Sequence, residues 1–316
     1  MIEIMIQEKK YLIPSSIDEA MKFGSENRSN FKYIAGGTDI MVNKFQGNED
    51  ATCLIDITKI DSLKGIHQND EFVRIGALET LESLKNSEAL INEFTLLIEA
   101  ALSVGAPLLR KTATLGGNVL CENRCLYYNQ SDWWRESVGH CLKCEGDICI
   151  ATQGKKACFS ELVSDTAPAI IALDGLLEYV DSEGVHQVKL EDIYTGDGVS
   201  PRNLPELSIV TAILLPRGRE FKSVFHKLRE RASLEFTSLT TAVTMDKTGK
   251  IKIALSGVDP KAVVVEGHID DDHEELIKTA VKGSRAIDND MYTRKYRRKM
   301  IGVQLQRSFN KLNRVK

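Results

Sequence analysis

Six of the seven cysteines in this 316-residue chain fall between residues 121 and 158: Cys121, Cys125, Cys141, Cys144, Cys149 and Cys158, with only Cys53 elsewhere. No other feature narrows the possible folds as much. The segment is introduced by Thr114-Leu115-Gly116-Gly117-Asn118, a paired-glycine turn whose bare backbone lets N–H groups come close to an anion. An anion-binding turn therefore runs directly into a thiol-rich loop. In a reducing compartment such crowding points to metal ligation rather than to disulfides, because soft thiolates select zinc, copper(I) or iron-sulfur clusters.

Spacing does not decide among the metals. Cys141-x2-Cys144 is half of a zinc knuckle, but no second C-x2-C accompanies it and the intervals match no ferredoxin run. An iron-sulfur cluster, a zinc site and unligated buried cysteines all stay open at this point. Between Cys125 and Cys141 lie Tyr127, Tyr128, Trp133 and Trp134, which include both tryptophans of the protein. Such aromatics suit a wall that keeps water from a redox centre, and equally an anchor for an inserted loop.

Bulk properties exclude several function classes. A formal charge of −4 provides no field for nucleic acid. No apolar run is long enough to span a bilayer, and Met1-Ile2-Glu3-Ile4 opens without a cationic or apolar leader, so the expected address is the cytoplasm and no membrane partner is expected. With 42% apolar residues the chain has material for two or three subdomains.

Read in order, Ser16-x-x-Glu19 predicts a capping box opening a helix. A strand at residues 31–34 leads into Ala35-Gly36-Gly37-Thr38-Asp39, and Ile40, Met41, Val42 and Phe45 then recur at helical spacing. Strand, glycine pair, helix is an anion-cradling arrangement. Two such turns in one chain suit a dinucleotide, whose pyrophosphate takes donors from more than one side. The G-x-G-x-x-G of the Rossmann route is absent. Strands are expected at 52–57 and 72–77, a helix at 96–102, a hairpin from 176–180 to 185–190, and a closing strand at 208–215. Beyond Pro216-Arg217-Gly218, three strands (222–228, 238–245, 250–258) precede two helices (274–281, 292–312). The basic residues Arg294, Lys295, Arg297, Arg298 and Lys299 read as a solvated or subunit-facing helix surface.

Arg124-Cys125, Tyr128-Asn129-Gln130-Ser131, Trp133-Trp134-Arg135, Cys141-Leu142-Lys143, Gly146-Asp147 and Cys149 resemble the cluster-bearing loop of the FAD (beta) subunits of 4-hydroxybenzoyl-CoA reductases, in the xanthine oxidase family of molybdenum enzymes. The resemblance implies an α+β fold: a two-subdomain FAD-binding domain (PCMH, vanillyl-alcohol-oxidase-like) at 1–217, with the inserted loop at about 121–158, then a small α+β C-terminal domain of the CO-dehydrogenase flavoprotein type at 218–316. It implies FAD held by two pyrophosphate loops, Ile34, Ala35, Gly36, Gly37, Thr38, Asp39 and Thr114, Leu115, Gly116, Gly117, Asn118. Val104 would line the flavin site, where a core valine is the alternative. Asp165, in Ser164-Asp165-Thr166-Ala167-Pro168-Ala169, would accept cofactor hydroxyls or else cap a helix, and Lys227 would reach back to the flavin or stand as a solvated strand residue.

By position in the motif, Cys125, Cys141, Cys149 and Cys158 would bind a 4Fe-4S cluster, leaving Cys121 and Cys144 as spares, and Leu126 would lie close to both cofactors. The implied function is an electron-transfer subunit with no catalytic residue of its own. Ferredoxin would supply electrons that pass through cluster and FAD to a small 2Fe-2S subunit and a large molybdopterin subunit, in a heterotrimer that dimerises, for reductive dehydroxylation of 4-hydroxybenzoyl-CoA. Two other readings keep the fold: a zinc-stapled docking loop without an electron role, and a flavin exchanging hydride with NAD as in xanthine dehydrogenase.

Overall fold

The computed structural model describes residues 9–314, so the leader reading at Met1-Ile2-Glu3-Ile4 lies outside the described residues. Three sheets organise it. The first is parallel, with strands β1 (Lys10–Leu12), β2 (Phe31–Ile34) and β3 (Cys53–Asp56) in the order β1-β3-β2. The β-branched run around Cys53 buries Cys53 and Ile55 in a small core with Ala20 and Phe31, which makes Cys53 a packing residue. Helix Ile17–Glu26 crosses between β1 and β2, and the Ser16 hydroxyl accepts its Glu19 N–H at 3.2 Å. The Glu19 carboxylate returns to Ser15 N–H rather than to Ser16, so the capping box closes one residue early.

The second sheet is antiparallel, in the order β4-β5-β8-β6-β7: β4 (Ile66–Gln68), β5 (Phe72–Gly76), β6 (Leu176–Asp181), β7 (Gly184–Lys189) and β8 (Ile209–Pro216). Its inner face packs against helices Thr95–Ser103, Leu115–Val119 and Thr166–Ala172 in the largest core cluster of the molecule. Residues 121–158 leave this body between the last two of those helices. The chain thus inserts its cysteine loop without interrupting a sheet.

After Pro216 the chain enters an antiparallel meander of β9 (Phe221–Leu228), β10 (Leu239–Asp246), β11 (Lys250–Ser256) and β12 (Val263–His268). One face of it, with Val224, Leu239, Val243 and Ile253, is covered by helices His273–Gly283 and Arg294–Arg314. The other face, with Ala242, Ala254 and Ala262, packs on the second subdomain. Both faces are dry, and β10 and β11 are therefore buried almost continuously instead of alternating. Strand β12 is an addition to the three strands expected here. Among the described residues, no helix is long and apolar enough to cross a membrane.

Candidate cofactor site

The two glycine turns meet. Residues Ile34, Ala35, Gly36, Gly37, Thr38 and Asp39 face Thr114, Gly116 and Gly117 across a cavity between the first and second subdomains. Gly36 packs so closely on the neighbouring chain that a Cβ would sit 1.8 Å from Thr112 O, and Gly37 adopts φ +70°, so glycine is required at both positions. Among the described residues, the backbone N–H groups of Gly36, Gly37 and Thr38 donate to no protein acceptor. Three such donors at the entrance to helix Ile40–Phe45 fit a pyrophosphate. The second turn begins the helix Leu115–Val119, where Thr114 Oγ1 accepts Gly117 N–H at 3.1 Å. Leu115 itself is fully buried core.

A second cavity, of about 850 Å³, shares Thr38, Asp39 and Gly117 with the first. Its walls include Val104, Asn118, Cys121, Val163, Asp165 and Phe236. Asn118 is oriented by its neighbours, with Oδ1 accepting the Ser164 hydroxyl at 2.9 Å and the Thr166 hydroxyl at 2.6 Å. Asp165 precedes helix Thr166–Ala172 but makes no side-chain cap bond. Its Oδ2 pairs with Lys227 Nζ at 2.5 Å and its Oδ1 accepts the Thr240 hydroxyl at 2.8 Å. Lys227 also donates to Ser103 O and Glu235 O, so this buried lysine on β9 ties the C-terminal sheet to the cavity wall through Asp165. A buried pair of this kind is satisfied only because each partner has further hydrogen bonds.

The cysteine loop surrounds a third, much smaller cavity, lined by Cys125, Cys141, Cys149 and Cys158 together with Tyr127, Tyr128 and Ile287. Cys121 belongs to the second cavity instead. Cys144 is half-buried in the short turn Leu142–Cys144 and is not part of the third cavity's wall. Burial pushes the Cys125 thiol up to about 12 and also raises Cys141, so neither becomes a thiolate near neutral pH without a metal to stabilise it. Among the described residues, no three His, Cys, Asp or Glu side chains converge on a point where a single ion would sit.

A fourth cavity joins the second and third, sharing Cys125 with the third and Val42, Val163, Leu234, Glu235 and Phe236 with the second. Leu126 lies in its wall.

Several residues build this arrangement through contacts that the sequence does not announce. Asp39, expected at the pyrophosphate, also fastens the cysteine loop: its Oδ1 pairs with Arg124 and its Oδ2 accepts Glu122 N–H at 3.0 Å. Arg124 donates to Asn43 Oδ1 at 2.7 Å and lies 4.8 Å from the centre of the Phe236 ring. Arg135 is almost wholly buried and gathers Gln130 O, Asp132 Oδ1, Tyr128 O, Gly47 O and Asn48 Oδ1, binding the loop to the end of helix Ile40–Phe45. The buried Lys143 ammonium faces Glu122 and stands 5.0 Å from the Tyr128 ring.

Comparison with known proteins agrees with this geometry. The family model described as the FAD binding domain in molybdopterin dehydrogenase matches residues 5–218. The aldehyde oxidoreductase FAD-binding subunit PaoB of Escherichia coli is 30% identical over 74% of this chain and 77% of its own length. The nicotinate dehydrogenase FAD-subunit of Eubacterium barkeri is 27% identical over 68% of this chain and 62% of its own length. Among solved structures, carbon monoxide dehydrogenase from Hydrogenophaga pseudoflava superposes with a TM-score of 0.74 at 21% identity, covering 96% of both chains. The enzyme from Oligotropha carboxidovorans gives 0.76 at 20% identity, over 96% of this chain and 97% of the other. These structures share the fold across both the FAD-type body and the C-terminal sheet. The chain belongs to the FAD-binding subunits of the xanthine oxidase family of molybdenum hydroxylases.

Proposed function

We propose that this subunit is the electron-entry flavoprotein of a reducing molybdenum complex, binding FAD in the first two cavities and a 4Fe-4S cluster in the third. The observation that carries the reading is the third cavity, whose walls hold Cys125, Cys141, Cys149 and Cys158 and leave out Cys121 and Cys144. Zinc would need its four sulfurs about 2.3 Å from one ion, whereas a four-iron cluster takes each thiolate on a separate iron.

When bound, FAD and the cluster supply one-electron exchange; the chain's own part is to hold, orient and shield them. The glycine turns hold the dinucleotide, Asp165 and Asn118 present polar groups to the second cavity, and Tyr127, Tyr128 and Phe159 keep water from the third. Electrons would come from a ferredoxin in the cytoplasm. They would leave toward a small 2Fe-2S subunit and a large molybdopterin subunit, where an aromatic acyl thioester such as 4-hydroxybenzoyl-CoA is dehydroxylated. Several relatives bear names that mark them as subunits, among them the carbon monoxide dehydrogenase medium chain of Hydrogenophaga pseudoflava and the nicotine 6-hydroxylase medium subunit of Paenarthrobacter nicotinovorans, which supports a partnered role. On this reading the division into 1–217 and 218–316 separates the FAD-binding domain from a domain that braces it.

The test is serine replacement of each loop cysteine in anaerobically prepared protein. Cys125→Ser, Cys141→Ser, Cys149→Ser and Cys158→Ser should lose iron and the broad visible absorbance, because a hard hydroxyl replaces a soft thiolate. Cys121→Ser and Cys144→Ser should keep both, and FAD should stay in all six. Loss of iron on changing Cys144, with retention on changing Cys125 or Cys158, would overturn the ligand set.

A further inference from the structure

The connection between helices His273–Gly283 and Arg294–Arg314 belongs to the C-terminal part of the chain, yet it walls two of the internal cavities. Ile287 lines the cysteine cavity, and Asn289, Asp290 and Met291 line the fourth cavity beside Leu126. Asn289 is buried, its backbone carbonyl accepts Leu126 N–H at 2.9 Å, and its side-chain amide donates to Phe159 O at 2.9 Å. The amide oxygen accepts from Arg297 Nη2 at 3.1 Å.

Arg297 is fully buried and serves both ends of a single tripeptide. Besides Asn289 and Ile287 O, its guanidinium binds Glu161 and, at 2.8 Å, Gly257 O. Glu161 exchanges backbone hydrogen bonds with Arg124 in both directions, at 2.7 and 2.9 Å. Arg124-Cys125-Leu126 is therefore held at its first residue by Glu161 and at its last by Asn289, and one planar guanidinium fixes those two anchors relative to each other. A fork of fixed geometry can do this where a flexible ammonium cannot.

We propose that Arg297 and Asn289 are positioning residues that seat Cys125 and Leu126 between the cysteine cavity and the fourth cavity, which adjoins the flavin site, and so set the rate at which electrons cross between the two cofactors. The proposal rests on the function proposed above. Its cause is geometric: Leu126 follows Cys125 directly, so releasing its N–H lets the Cys125 backbone drift, and electron transfer slows as the gap between the cofactors widens.

The experiment compares wild type, Asn289→Ala and Arg297→Lys in the anaerobically purified complex with its partner subunits. FAD and iron per chain and both midpoint potentials should stay at wild-type values. Amide exchange in the peptide covering residues 124–130 should quicken at least tenfold. Flavin reduction by photoreduced methyl viologen should slow, and the magnetic interaction between the two reduced cofactors should weaken. Wild-type exchange in both variants would overturn the anchoring, and a wild-type rate and magnetic interaction despite faster exchange would overturn the positioning role. Loss of both cofactors from both variants would show that the residues maintain the fold instead, and overturn it too. If wild type holds no iron, the function proposed above has failed, and that outcome is visible before any variant is compared.

Discussion

Gly117→Val separates the cofactor role of the second glycine turn from its role in the fold. Gly117 borders both the first and second cavities, and among the described residues outside its own helix backbone and chain neighbours an added Cβ would meet only Thr114 Oγ1, at 2.9 Å, the end of a side chain. Replacing glycine in helix Leu115–Val119 gains about 0.3 kcal/mol of helix propensity. Disturbing the Thr114 cap costs about 1 kcal/mol, so the flavin-free protein should melt within a few degrees of wild type. FAD should lose much more. Each hydrogen bond to a charged group contributes about 1.5–3 kcal/mol, so one displaced phosphate contact weakens binding roughly 10- to 150-fold. Fluorescence titration of the apoprotein with FAD measures the affinity, and a thermal melt without FAD measures the fold. Gly36→Ala is the contrasting case, because its Cβ would overlap Thr112 O at 1.8 Å and the loop itself must move. That variant should lose stability by about 1–3 kcal/mol as well as flavin. Wild-type FAD affinity in a folded Gly117→Val protein would remove the second turn from the site.

Two further outcomes follow from buried charges. Arg135→Met strands the carbonyls of Gly47, Tyr128 and Gln130, at about 1–3 kcal/mol for each that stays dry, so limited proteolysis within residues 121–158 should quicken while the FAD affinity of the body holds. Burial, against the pull of Arg297, holds the Glu161 carboxyl up at about 8, above the ordinary 4.5. The folded chain therefore binds this proton more tightly than the unfolded chain. The resulting stability is fully present below about 4.5 and is lost as pH rises through about 8, so melting temperatures should fall between pH 6 and 8.5 in wild type and fall less in Glu161→Gln.

Local pattern carried much of the fold. Strand β5 and the hairpin of β6 and β7 stand where alternation and turn residues put them, and along β7 half-buried residues alternate with exposed ones. β12 escaped because Val263, Val264 and Val265 form a continuous apolar run without alternation, which periodicity alone does not separate from other buried segments. Helix Ile40–Phe45 shows the opposite case. Its helical spacing was legible, but Met41, Val42 and Phe45 are exposed and the buried side chain is Asn43, which holds Arg124. The glycine turns and the cysteines could be read because their chemistry lies in residue type. The contacts of Arg124, Arg135 and Arg297 could not, since their partners are mostly far off in sequence, many of them backbone carbonyls that no side-chain pattern marks. The segment Leu234-Glu235-Phe236, which closes over the second cavity from the β9–β10 connection, likewise has no repeat or motif to announce it.

The C-terminal sheet, dry on both faces, bears on how the chain is made. All seven residues of helix Thr166–Ala172 are buried, and their cover includes β10 and β11. During synthesis that helix emerges well before residues 239–256, so a ribosome stalled after Pro216 presents an apolar surface that nothing yet translated can shelter. A chaperone bound to the nascent chain there would be displaced by the meander itself.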